Sequence, residues 1–211
     1  INYRMSARNA AGLPALGISC CVLANNHVLD WGPRGLNDTL GTLQALRLPV
    51  AGAGRNAREA AAPAILSRAK SPRVLVFAMT SRDSGVPQSW AADHRKPGIS
   101  LLRSLDDSAV TTIKEQVAAV KRTGDIAIAS IHWGGNWGYD IPPEHEMAAR
   151  ALIEEAGIDL VHGHSSHHAK GWEIHNGKLI LYGCGDFLND YEGISGREEY
   201  RGDLSAMYLV D

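Results

Sequence analysis

The chain has 211 residues, 45% apolar and 21% charged, enough for one globular domain with a sizeable core. Lys and Arg number 21 against 23 Asp and Glu, a net charge of −2, and no basic run occurs, which argues against nucleic-acid binding through a basic face. No apolar stretch approaches the roughly 20 residues needed to span a bilayer. The three cysteines, Cys20, Cys21 and Cys184, have no ligand spacing, which argues against a disulfide framework and a Cys-type zinc site.

Residues 1–17 are weakly patterned. The opening Ile1, without a signal-peptide pattern, reads like a piece of something longer. Residues 18–24 (ISCCVLA) are apolar throughout, as expected for a strand covered on both faces. The loop that follows carries Asn25, Asn26, His27, Asp30, Trp31 and Arg34. Leu36, Leu40, Leu43 and Leu46 then recur at helical spacing. A short strand over 49–52 leads into Gly-Ala-Gly-Arg-Asn, a weak phosphate-loop signal that includes Arg55. Residues 57–69 begin helically, break at Pro63 and continue as a strand over 64–69.

Val74 to Met79 (VLVFAM) predicts a buried strand, and 80–98 a long loop. Val110, Ile113, Val117 and Val120 mark a helix with Ser104 or Asp106 as N-cap, ended by Gly124. Strand 126–131 runs into His132-Trp133-Gly134-Gly135-Asn136. A helix over 144–156 ends at Gly157, and strand 158–161 delivers His162, His164, His167 and His168 within seven residues. Asn176-Gly177 between apolar segments predicts a hairpin, and Leu204 to Val210 (LSAMYLV) a closing strand. Early βαβ units and a late hairpin give an α/β layered sandwich with a mixed sheet.

Three apolar strands thus end in histidine-bearing loops, and sites in α/β sheets form at the carboxyl ends of strands. Convergence would cluster Asn26, His27, His132, His164 and His167. Neutral imidazole is the commonest metal ligand, so His132, His164 and His167, with Asn26, form a candidate divalent-metal site. His164 and His167 are expected on a turn rather than a regular strand. His27 would protonate a leaving group, with Asp30 orienting its ring. His162 and His168 are read as non-ligands, and His94, His145 and His175 as surface or structural residues. Trp31, Trp133 and Trp137 either wall the pocket or lie in the core. Asp186, Asn189 and Asp190 are candidates to face the site, and Arg34 and Arg55 to bind a carboxylate or phosphate.

The segment 24–32 (ANNHVLDWG) resembles the Asn-His motif of the CapA family of poly-γ-glutamate capsule biosynthesis proteins. His132-Trp133-Gly134 and Gly163-His164-Ser165-Ser166-His167 resemble its second and third motifs. Gly185-Asp186-Phe187 stands where that family usually has Gly-Asn-Phe. The resemblance runs from about Leu16 to Val210 and implies a branch of the calcineurin-like metallophosphoesterases. That branch has a layered α/β/β/α sandwich with mixed sheets and a two-metal site. Asn26, His132, His164 and His167 match its metal ligands (Mn, Fe or Zn), and His27 its general acid. The implied role is making, exporting or anchoring an anionic γ-linked glutamate polymer, usually at the bacterial envelope, beside other capsule-synthesis proteins.

Two departures stand out. The superfamily's upstream Asp-x-His and Gly-Asp find no match in residues 1–17, so the chain reads as one such domain without its N-terminal portion. The loop 185–192 (GDFLNDYE) is more acidic than the family norm, which points to a subgroup with another substrate. Three functions follow as expectations. The first is a metal-dependent hydrolase acting on a phosphoester or γ-glutamyl-type substrate. The second is a non-catalytic scaffold or polymer-binding component. The third is a metal-free acid–base enzyme on a peptide, using His, Asp and Cys184.

Overall fold

The computed structural model describes residues 2–188, 195–201 and 204–210. Its strands are β1 (Cys21–Val22), β2 (Val50–Ala51), β3 (Ala53–Gly54), β4 (Ala64–Leu66), β5 (Val74–Ser81), β6 (Gly98–Ile99), β7 (Leu101–Leu102), β8 (Ile126–His132), β9 (Leu160–His164), β10 (Trp172–His175) and β11 (Lys178–Leu181). The α-helices are α1 (Gly12–Ala15), α2 (Gly32–Ala45), α3 (Ala57–Ala61), α4 (Asp107–Val120) and α5 (Pro143–Glu154). No helix among the described residues is long and apolar enough to cross a membrane.

The main sheet runs β10–β11–β9–β8–β5–β4, with β7 added beside the end of β5. β5, β8, β9 and β11 are parallel, and β4 and β10 flank them antiparallel. Period-two alternation divides β5 between two cores. Leu75, Phe77 and Met79 pack with Val110, Ile113 and Val117 of α4 and Ala149, Leu152 and Ile153 of α5. Val76 and Ala78 face the other way, onto Ala24 and Ala51 beside the parallel pair β1–β2. Leu36 and Leu40 of α2 close the outer side of that pair, packing with Leu23, Val28 and Val50. The order helix pair, main sheet, small sheet, helix is the expected α/β/β/α layering. Full burial of Phe77 or Leu75 contributes roughly 1.5–3 kcal/mol each.

Local signals explain the element ends. Asp106 caps α4, its carboxylate accepting from the amides of Ser108 and Ala109. Gly157 (φ +73°) ends the α5 segment, and Asn176 (φ +50°) with Gly177 (φ +75°) makes the two-residue turn that β10 and β11 require. Other boundaries differ from expectation: the strand expected over 64–69 is Ala64–Leu66, and that expected over 158–161 is Leu160–His164. The apolar run 18–24 pairs only over Cys21–Val22, because β2, its ladder partner, is equally short. Helix α4 stops at Val120, where Lys121 turns extended, because Asp125 organises residues 121–125. Its carboxylate accepts from the Arg122 amide and the Arg73 guanidinium, and Gly124 supplies a positive φ. Among the described residues the segment 204–210 pairs with no strand, and Leu204, Met207, Leu209 and Val210 are exposed.

Candidate functional site

The parallel register sets the centre of the site. β8 sends Ala127, Ala129 and Ile131 into the helix-side core, so Ser130 and His132 point to the opposite face. β9 does the same with Val161, leaving His162 and His164 opposite. Ser130 is in register with His162, and His132 with His164. Ser130 Oγ and His162 Nδ1 share a hydrogen bond of 2.9 Å, and the Nδ1 atoms of His132 and His164 stand 3.2 Å apart. His164 therefore ends a regular strand rather than lying on a turn. His162 is not turned away from the cluster: its ring stacks at 5.4 Å on that of His164.

The other groups arrive on loops. Asn25 Oδ1 accepts from the amides of His27 and Val28, both at 2.9 Å, a tight turn that presents Asn26 and His27. His27 Nδ1 donates to Asp30 at 2.8 Å, the pairing the sequence suggested. The Tyr3 amide donates to the same Asp30 oxygen, and the Tyr3 ring stands edge-on to His27 at 4.5 Å. Beyond β9, the His167 amide donates to the Asn136 carbonyl at 3.0 Å, and His167 Nδ1 to Asp186 at 2.8 Å. Gly185 (φ +70°) allows that approach, since a Cβ there would lie 3.0 Å from the Ala169 nitrogen.

Asn26, His27, His132, His164, His167 and Asp186 line one cleft of about 330 Å³, whose rim includes Tyr3, Asn136 and Ser165. A larger depression of about 780 Å³ lies between the end of β5, α4 and α5, lined by Arg82, Arg103, Glu144 and Met147 among others. It contains no histidine and no buried polar atom lacking a partner, so the chemistry is read from the smaller cleft.

Burial, reinforced by the charge of nearby His27, pushes His132 down to about 4. Burial likewise carries His164 well below the ordinary imidazole range, helped by His132 and His162. Both are neutral at pH 7. The hydrogen bond to Asp186 raises His167. The Nε2 atoms of His132 and His164 are buried and have no hydrogen-bond partner among the described residues. Buried polar groups left in that state call for an unseen water or ion.

The family model "Bacterial capsule synthesis protein PGA_cap" matches residues 1–191. The chain belongs to this family. It is 47% identical over 209 residues to the "Probable polyglutamine synthesis accessory protein" of Mycobacterium tuberculosis, a match covering 99% of this chain and 55% of that protein. It is 29% identical over 167 residues to "PGA biosynthesis protein CapA" of Bacillus subtilis, covering 79% of this chain and 41% of that one. It is 25% identical over 191 residues to "Capsule biosynthesis protein CapA" of Bacillus anthracis, covering 90% and 45%. The chain spans about half the length of the curated relatives it matches.

In this PGA_cap chain the donor set only partly fits a metal ion. The two imidazoles converge, but among the described residues no three His, Cys, Asp or Glu side chains are placed to hold one ion. An ion on the His132–His164 pair would need its other positions filled by amide, hydroxyl, water or substrate oxygen. Facing Nδ1 atoms at 3.2 Å either share a proton or share a cation; two bare lone pairs there would repel.

Arg34 and Arg55 are not brought to the cleft. Arg34 is exposed on α2, and Arg55 pairs with Glu59 and Gln44, a local partner four residues along outcompeting a distant site. Asn189 and Asp190 lie outside the described residues. Cys184 does not line the cleft, and burial pushes its thiol up to about 11, so it offers no thiolate for the metal-free reading. His145, read as surface or structural, is buried and bonded to Asp83, a residue no sequence signal singled out. Trp133 is core and stacks on His145, while Trp137 stacks on His167 at 5.5 Å.

Proposed function

We propose that this chain carries the working cleft of a capsule-synthesis protein that acts on an anionic γ-glutamyl or phosphoester substrate with a divalent ion (Mn, Fe or Zn). The facing Nδ1 atoms of the buried, neutral His132–His164 pair, 3.2 Å apart, carry the reading, since a shared cation relieves two lone pairs that would otherwise repel. Those two imidazoles would hold the ion, with Asn26 and His167 as the next donors. His167 already donates Nδ1–H to Asp186, the carboxylate contact that orients ligating imidazoles. When bound, such an ion supplies Lewis acidity at a substrate oxygen.

The remaining work falls to the chain's own residues. Asp30 holds the Nδ1–H of His27, which fixes the ring and leaves Nε2 to carry a proton to a leaving group. His27 keeps a side-chain exposure of 41%, so a substrate can reach it, whereas Asp30 at 7% is shielded and stays in place. The relatives' printed names, which speak of capsule, PGA and polyglutamine synthesis, support that setting, where other synthesis components would be partners.

A turnover screen with added Mn²⁺, Fe²⁺ or Zn²⁺ against poly-γ-glutamate and a generic phosphodiester tests the proposal. His27→Ala is expected to lose roughly 100-fold or more of any turnover found while retaining the ion. Equal turnover in both proteins would remove His27 from the chemistry.

A further inference from the structure

Asp83 lies outside the cleft, in the turn Arg82–Ser84 after β5. One of its oxygens accepts from His145 Nε2 at 2.6 Å and from the Gly134 amide at 3.1 Å; the other accepts from the Ser81 hydroxyl. His145 sits near the start of α5, 3% exposed, with its ring stacked on Trp133 at 4.6 Å and 10°. Trp133 Nε1 donates to the Tyr182 carbonyl at 3.0 Å. One carboxylate thereby ties together the end of β5, the start of α5 and the loop leaving β8.

That loop serves the cleft at both ends. It begins at His132, whose carbonyl accepts from the Thr80 hydroxyl at 3.0 Å. The Gly134 carbonyl accepts from the Ser165 hydroxyl at 3.0 Å, and the Asn136 carbonyl from the His167 amide at 3.0 Å. Gly134 and Gly135 give this stretch no stiffness of their own. A Cβ at Gly134 would lie 3.0 Å from His145 Cε1, so the loop is seated against the very imidazole that Asp83 fixes. Burial alone would raise the Asp83 carboxyl, but hydrogen bonds from His145 and Ser81 hold it below its ordinary value.

We propose that Asp83 is a positioning residue for the cleft: through Gly134 and His145 it holds the 133–136 loop so that the His132–His164 pair and His167 keep one arrangement. The inference builds on the proposed role of the cleft, and its test separates the two. The imidazole NMR resonances of His132, His164 and His167 are recorded in wild type, Asp83→Ala, Asp83→Asn and Asp125→Asn. Co²⁺ is titrated into each protein, and thermal unfolding is followed.

Asp83→Ala is expected to shift or split the three imidazole signals and to weaken Co²⁺ binding roughly 10-fold or more. Asp125→Asn, which breaks the structural contact to Arg73, is expected to lower the melting temperature without moving those signals. Should Asp83→Ala not fold, Asp83→Asn keeps the shape and carries the same readout. Unmoved imidazole signals in the folded Asp83 variant, with only a lower melting temperature, would overturn the inference. A wild type that binds no Co²⁺ would count against the metal reading alone, and the resonances would still decide for or against Asp83.

Discussion

Replacing Gly163 by alanine is expected to destabilise the fold by about 3 kcal/mol, the upper range for overpacking a close-packed interior. A Cβ there would lie 2.5 Å from the Tyr182 carbonyl oxygen, 2.6 Å from Trp133 Nε1 and 2.8 Å from the Leu181 carbonyl oxygen. Two of these atoms are backbone beside β9 and have nowhere to retreat. The third donates the hydrogen bond from Trp133 to Tyr182, which passes over the hydrogen of Gly163. The substitution therefore also displaces Trp133, and through its stacking on His145 the loop behind His132. Gly41 in α2 is the control. It has open space at its Cβ position, so alanine there is expected to stabilise by about 0.5–1 kcal/mol. Urea unfolding of the two variants decides the matter; near-equal stabilities would mean that the β9–β11 seam is looser than described.

Acidification of chelator-treated protein is expected to have an effect of similar size. His132 is held down to about 4 by burial and then by His27, and burial carries His164 well below its ordinary value as well. An unfolded chain binds protons at these histidines near pH 6.5, whereas the folded chain refuses them until a more acidic pH. Stability is therefore full above about pH 6.5 and falls as the pH drops toward 4. His132 alone accounts for about 3 kcal/mol of that loss, and His164 adds to it in the same direction. Urea midpoints across that window measure it, and His164→Gln should flatten the decline. A stability curve level from pH 7 to 4.5 would show that the pair is hydrated rather than buried.

How far the sequence could be read followed from how local each cause is. The run Val74 to Met79 announced β5 because both its faces are covered, by α4 and α5 on one side and by Ala24 and Ala51 on the other. The His27–Asp30 pair was readable because its partners are three residues apart in one loop. The His132–His164 pair was readable in kind, as two strand ends carrying histidine, but not in detail. Only the register showed that His162 and Ser130 stand behind it as a second cross-strand pair. Arg55 stands away from the cleft, beside Glu59 four positions on, a local pairing that the loop pattern did not reveal. Asp83 and His145 are 62 residues apart and carry no mutual pattern, so their contact emerges only when β5 and α5 are set side by side. The apolar alternation of 204–210 predicted a strand correctly as a pattern and wrongly as an element, since a strand needs a neighbour as well as a sequence.

The proposed function requires the buried imidazole pair to bind a cation. Calorimetric titration of Zn²⁺ and Mn²⁺ into chelator-stripped protein at pH 7.5, beside His164→Ala, tests it most directly. Saturable binding of at least one ion per chain, weakened roughly 100-fold or more by His164→Ala, is the predicted result. No saturable binding to the folded wild type, or binding that survives the loss of His164 unchanged, would contradict it.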